Sequence, residues 1–237
     1  MAFQMDEFFR GIRHALPVMA AFVPVALILG ATGAQHGLAP FTVGLMAGIN
    51  FAGGSEFAAI ALWQQVPPMM AVLLSTWLIN TRHIMLSASL APAFSTKPLT
   101  VTLPALFLMC DETWALAMQE FTAQKKKGVP ASEALNTAFY FGVAFALWGT
   151  WVSSSVIGAL LGGAVGNLTN YGFSLAFPAI FISILGGMYS GARNALPWVV
   201  SAVSAALCSK WLPQAGSLAA GVIAGLICVG IFPTQRR

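Results

Sequence analysis

Runs of apolar residues about the length of a membrane crossing dominate this chain, and polar residues collect at the breaks between them. No Asp, Glu, Lys or Arg occurs from His14 to Ser55 or from Ala134 to Ala192. The second stretch is far longer than the roughly 20 residues one helix needs to cross a bilayer. The pattern predicts spans at about 14–35, 40–62, 67–95, 98–119, 133–163, 172–191, 195–211 and 213–233. Break signals separate them at Gly37-Leu38-Ala39-Pro40, Gln64 to Pro68, Lys97-Pro98, Lys125 to Pro130, Asn167 to Gly172, Pro197 and Pro213. The division at Leu212-Pro213 is the least marked, so seven spans is the alternative to eight. The fold class is all-α: a polytopic membrane helix bundle forming one transmembrane domain over residues 1–237.

Composition narrows this further. Hydrophobic residues make up 58%, charged residues 8%, and the mean hydropathy is +0.80, which excludes an ordinary soluble domain. The run from Ala15 to Ala34 follows Arg10 and Arg13 as a signal sequence would. It is longer than such a core and is read as a retained first helix. Cys110, Cys208 and Cys228 stand in apolar runs at unrelated spacings, which suits buried free thiols and neither a disulfide framework nor a zinc site. His14, His36 and His83 are too dispersed for a metal motif, and no cofactor is expected.

The net charge of +4 is a topology signal and not a nucleic-acid footprint. With the N-terminus inside, one side of the membrane receives Arg10, Arg13, Lys125, Lys126, Lys127, Arg193, Arg236 and Arg237. The other receives only Lys97 and Lys210, a ratio of eight to two. Both termini are therefore expected on the cytoplasmic side, in agreement with an even number of spans.

Glu56, Arg82, Asp111, Glu112 and Arg193 lie within or at the end of apolar spans. A central charge costs roughly 2.5–3.5 kcal/mol on insertion scales, so such residues persist mainly where they face a bundle interior and serve a function. In Asn50-Phe51-Ala52-Gly53-Gly54-Ser55-Glu56-Phe57 a break at Gly53-Gly54 would let Ser55 cap a half-helix whose free N–H groups bind an anion. Glu56 would then accept a proton or meet an ammonium group; in a continuous helix the glycines would instead admit a neighbour and Glu56 would be ion-paired. In Asn80-Thr81-Arg82-His83, Arg82 suits a carboxylate, and His83 suits either a proton relay or packing. On a regular helix Asn80, His83 and Ser87 share a face, while Arg82 aligns with Ser75 and Ser89, so polar groups on more than one side suit a central position or a helix broken around Asn80–Arg82. Arg82 paired with Glu56 or Asp111 to hold helices together is the competing reading. Adjacent residues on a helix point about 100° apart, so Asp111 and Glu112 suit different roles, one ion-paired and one changing protonation.

Other features read as structural. The run Phe139, Tyr140, Phe141, Phe145, Trp148 and Trp151 suits packing and lipid contact, and Ser153-Ser154-Ser155 suit bonds back to their own helix. An arginine beside an asparagine in both Asn80-Thr81-Arg82-His83 and Ser190-Gly191-Ala192-Arg193-Asn194 hints at an internal repeat.

Pro17 and Pro24, the segment Asn50 to Phe57, Asn80-Thr81-Arg82-His83 and Asp111-Glu112, in this order, resemble the AzlC family over about residues 10–230. These are the YgaZ-type large subunits of bacterial branched-chain amino acid exporters. The resemblance implies an inner-membrane permease working with a small hydrophobic AzlD/YgaH-type subunit. It implies leucine, isoleucine, valine and, in some members, methionine as substrates. A glutamine commonly follows the serine of the second-span motif in this family, and Glu56 stands there instead. The function expected is proton-coupled secondary export of small apolar amino acids, with Gly53, Gly54, Ser55, Glu56, Asn80, Arg82, His83, Asp111 and Glu112 forming the site. The rivals are a channel or a membrane subunit of a larger assembly, and an intramembrane hydrolase built on Ser55 and His83. No Gly-x-x-x-x-Gly-Lys loop is present, so this chain does not itself couple to ATP.

Overall fold

A computed structural model describes residues 4–64, 66–162, 191–212 and 214–231. Its helices are α1 Met5–Gln35, α2 Pro40–Asn50, α3 Gly53–Ala61, α4 Met69–Asn80, α5 Arg82–Phe94, α6 Leu99–Phe107, α7 Asp111–Lys126, α8 Thr137–Gly162, α9 Ala192–Cys208 and α10 Gln214–Ile231. No strand occurs among the described residues, and the all-α membrane bundle is as expected. The predicted span at 172–191 lies outside the described residues except for Gly191, as do Arg236 and Arg237.

α1 and α8 form the central pair, and glycine lets them touch backbone to backbone. A Cβ on Gly11 would strike Phe139, one on Gly30 would strike Ser155, and one on Gly158 would strike Leu27. Gly142 lies against Phe8 and Gly162 against Ala31. Small residues at such seams supply the close van der Waals packing that drives helix association where lipid removes the hydrophobic drive. These contacts run in the same order along both helices, so α1 and α8 are parallel.

Between them, only α4 and α5 cross. The two are nearly continuous, interrupted at Thr81, which keeps helical dihedrals (φ −56°, ψ −24°). The predicted break at Asn80–Arg82 is thus a one-residue interruption and not an unwound loop. The Thr81 hydroxyl donates to Leu78 O at 2.6 Å, a back-bond that competes with the helix ladder.

The predicted span at 40–62 does not cross. α2 runs antiparallel to α8, with Gly44 facing Val156 and Gly48 facing Trp148 and Val152. The chain then reverses at Phe51, whose φ of 42° is left-handed, and Ala52. Gly33 of α1 meets both Val43, near the start of α2, and Ile60, near the end of α3. Both ends of the α2–α3 hairpin therefore lie at one face. Eleven and nine residues rise about 16 and 14 Å, so the tip reaches only about halfway through a hydrocarbon core some 30 Å thick. A non-glycine left-handed residue is uncommon, and Phe51 is held there by near-complete burial.

The predicted span at 98–119 is likewise a re-entrant hairpin, entering from the opposite face. Lys97, Pro98 and Val101 share a cavity with Gln4 and Asn136 at the N-terminal face. α6 then runs inward, turns through Leu108, Met109 and Cys110, and α7 returns until Glu120 meets Arg10. Nine residues in α6 are too few to cross. Lys97 consequently shares a face with Arg10, Arg13 and Lys125 to Lys127, not the opposite face. That correction strengthens the charge asymmetry behind the predicted orientation.

α9 and α10 form an antiparallel pair, with Gly221 against Ser201 and Ala205 and Gly225 against Pro197 and Ser201. α10 also touches α4.

Candidate functional site at the hairpin tips

The two tips and the Thr81 interruption gather the polar motifs of three separate segments at mid-depth. On the first tip, the break precedes Gly53-Gly54 instead of falling between them, and the N-cap residue is Ala52, not Ser55. Ser55 sits one turn into α3, fully buried; its hydroxyl donates to Ala52 O at 2.8 Å and accepts from Asn50 Nδ2 at 2.8 Å. Asn50 Oδ1 in turn accepts from Asn80 Nδ2 at 3.0 Å, tying the tip to the end of α4. Gly53 admits a neighbour: a Cβ there would sit 2.9 Å from the Trp151 ring.

Glu56 is fully buried and is not ion-paired in the described residues. Its Oε1 accepts the Ala52 N–H at 2.8 Å and its Oε2 accepts the Trp151 indole N–H at 2.9 Å. The alternative in which Glu56 pairs with an arginine is overturned, because Arg82 binds elsewhere. Arg82 Nη1 lies 2.7 Å from Asp111 Oδ2, joining the start of α5 to the start of α7. Both side chains remain about a third exposed, at 36% and 37%.

On the second tip the Cys110 sulfur caps α7 by accepting the Thr113 N–H at 3.5 Å. Asp111 and Glu112 occupy the first two positions of α7, so their charge faces the positive end of that helix. Asp111 is the paired member and Glu112 is half-buried beside it. α7 is braced on α5 by Trp114, whose indole donates to Ser89 Oγ at 2.7 Å.

His83 approaches Asn80 O through Nδ1 at 3.2 Å, and Ser87 donates to His83 O at 2.6 Å. Ser55 and His83 thus each bond to other groups and do not form the nucleophile–base pair that a hydrolase would need. Two polar atoms at this site, Asn80 Oδ1 and Arg82 Nε, are buried without a hydrogen-bond partner among the described residues. A third, Ser155 Oγ, lies on α8, so only part of the serine triplet bonds back as expected; Ser153 does so, to Gly149 O at 2.7 Å.

The tryptophans of α8 were read as packing, and that reading missed their polar ends. Trp148 donates to Gly48 O at 2.9 Å, satisfying one of the carbonyls left free where α2 stops. Trp151 holds Glu56. Tyr140 likewise donates to Ala105 O at 2.7 Å, bracing the second hairpin. The sequence signal for this was present. Trp148 and Trp151 share a helix face at mid-span, far from the interfacial belt where tryptophan usually sits, and a buried indole N–H needs an acceptor.

Comparison with known proteins identifies the family. A family model described as AzlC protein matches residues 17–165. The inner membrane protein YgaZ of Escherichia coli (strain K12) is 27% identical over 230 residues, covering 93% of this chain and 87% of the relative. An uncharacterized membrane protein of Archaeoglobus fulgidus is 26% identical over 157 residues, covering 65% of this chain and 63% of the relative. No solved structure matches the chain. The matched region contains both hairpins and every polar group at their tips, and the chain belongs to the AzlC family of membrane proteins, with a role in membrane transport.

Proposed function

We propose that the protein is a secondary-active exporter of small apolar amino acids, leucine, isoleucine, valine and methionine, driven by proton exchange across the bacterial inner membrane. One observation carries the reading. At mid-depth a third-exposed Arg82–Asp111 pair stands beside a donor, Arg82 Nε, and an acceptor, Asn80 Oδ1, that the described residues leave unused. Charge at that depth persists where it faces a cavity or a partner, not lipid. An amino acid zwitterion supplies the complementary acceptor and donor, its carboxylate for the guanidinium and its ammonium for Asn80 Oδ1 and Asp111.

The hairpins suit alternating access. α2–α3 enters from one face and α6–α7 from the other, so displacing one tip opens a path to one side only. Glu56, without a counter-charge on its tip, is the group assigned to the proton. A small hydrophobic AzlD/YgaH-type subunit is the proposed partner, and transport, not catalysis, is the proposed activity.

The test is efflux of leucine, valine and methionine from vesicles containing this chain co-expressed with its small partner, with and without an imposed pH gradient. Gradient-dependent efflux that is lost in Arg82→Ala and uncoupled in Glu56→Gln is expected. Efflux unimpaired in well-expressed Arg82→Ala would remove the assigned site.

A further inference from the structure

Among the described residues, Glu56 is surrounded by neutral groups. α2 and α4 contain no ionisable residue, and α1 contains none from Ala15 to Gln35. α8 contributes only Tyr140, whose hydroxyl is committed to Ala105 O. On the neighbouring segments Arg82 is bonded to Asp111, His83 lies on Asn80 O, and Glu112 sits on the second tip. What reaches Glu56 is therefore one backbone N–H, on its own tip, and one indole N–H, on α8.

That arrangement discriminates between the two protonation states. A carboxylate accepts at both oxygens, so Ala52 N–H and Trp151 Nε1–H are both satisfied. When a proton arrives, one oxygen becomes a hydroxyl donor and no longer serves its N–H equally well. Trp151 cannot follow a displaced Glu56. The residue is 5% exposed, and its ring meets Phe22 edge-on at 5.3 Å and fills the space that Gly53 leaves open.

From this we infer that Trp151 is a positioning residue through which α8 reads the proton on Glu56: the indole N–H fastens the α2–α3 tip to α8 when Glu56 is ionised and slackens its hold when Glu56 is protonated. The inference rests on the proton-coupled reading above and adds to it the group that converts a proton into movement of a hairpin. The tip it controls also carries the Asn50–Asn80 contact, so release at Glu56 reaches the Arg82 site through one hydrogen bond.

Trp151→Phe keeps the ring and deletes the N–H. Leucine efflux would be measured from pH 5 to pH 9 in the co-expressed assembly for wild type, Trp151→Phe, Glu56→Gln and the double variant. The expected result is a midpoint moved toward alkaline pH by about one unit or more in Trp151→Phe, the size of one hydrogen bond to a charged group. Glu56→Gln should flatten the profile, and Trp151→Phe should add no shift to it. A uniformly lower rate with an unmoved midpoint in Trp151→Phe would make the residue structural and overturn the inference alone. A flat wild-type profile would remove proton coupling itself, and the inference with it. Should Trp151→Phe fail to accumulate, hydrogen exchange of residues 50–56, corrected for intrinsic rates, replaces it. Exchange that rises on acidification in wild type but not in Glu56→Gln supports the inference; equal pH dependence in both defeats it.

Discussion

Arg82 and Asp111 stand 29 positions apart in the chain, yet their side chains meet at 2.7 Å across the heads of α5 and α7. Each opens a helix, so the pair joins the crossing segment to the second re-entrant tip. A guanidinium and a carboxylate so placed fix the tip only while both charges persist. Removing either leaves the other uncompensated at membrane depth, which in buried settings costs about 3–5 kcal/mol. The pair here is a third exposed, so the stability effect should fall well below that range.

Arg82→Ala and Asp111→Asn should each reduce export by at least about ten-fold, the scale of one lost charged hydrogen bond. The swapped double variant Arg82→Asp/Asp111→Arg should fold, as judged by a monodisperse elution profile, without recovering transport. Full transport by the swapped protein would show that the pair holds helices and does not touch substrate.

The glycine seam between α1 and α8 supplies an internally controlled prediction. A Cβ on Gly158 would overlap the Leu27 carbonyl, whereas one on Gly149 of the same helix meets nothing within 4 Å. Gly149→Ala should be neutral or stabilise by up to about 1 kcal/mol through helix propensity. Gly158→Ala should force α1 and α8 apart and destabilise by about 1–3 kcal/mol, the usual scale of overpacking. Thermal unfolding of both variants in one detergent checks the pair. Equal melting temperatures would mean that the two helices do not pack as closely as described.

Much of this architecture was legible in the sequence, and the part that was not has a physical cause. The apolar run around α1 and the runs of α4–α5 and α8 were recognised as crossings because each is long and continuous. The hairpins were read as crossings because hydropathy measures apolar length and is blind to direction. Pro40–Ala61 is as greasy folded back on itself as it is extended. The reversal is set by Phe51, a residue with no intrinsic preference for a left-handed turn, so tertiary packing decides it. Of the two uses expected of Gly53-Gly54, close packing and local unwinding, Gly53 serves the first, by admitting Trp151, while the break falls just before the pair. Glu56, Arg82 and Asp111 stand out in the sequence as charge within apolar spans, but only the structure separates the partly exposed ion pair from the buried, unpaired glutamate. The two hairpins enter from opposite faces, whereas the second asparagine–arginine motif begins at Ser190, outside the described residues.

The placement of Lys97 makes the two-hairpin topology directly testable. In a variant lacking Cys110, Cys208 and Cys228, single cysteines at Lys97 and Lys126 should react with a membrane-impermeant maleimide from the same side. A cysteine at Trp63, just after α3, should react from the opposite side. Labelling of Lys97→Cys from the Trp63 side would restore a crossing between residues 98 and 119 and dissolve the second hairpin.

Acid should loosen the second hairpin at the N-terminal face before it reaches the core. Arg10 donates to Glu120 at 2.9 Å and to Glu7 at 2.8 Å, and its guanidinium lies 4.2 Å from the Phe139 ring centre. The hydrogen bond from Arg10 holds the Glu120 carboxyl below its ordinary range, with Gln124 adding a second donor at 2.9 Å. A carboxyl depressed in the folded state contributes stability that is present above its unfolded value, about 4.3 for glutamate, and is lost as pH falls through the folded value. Because Arg10 is 40% exposed, the contribution at pH 7 should be no more than about 1 kcal/mol. Glu120→Gln should therefore lower the melting temperature modestly at pH 7, and its deficit should shrink and vanish as the pH falls below about 4. The same deficit at pH 3.5 and pH 7 would mean that the amide disturbs packing and that the Arg10–Glu120 charge pair contributes nothing to anchoring α7.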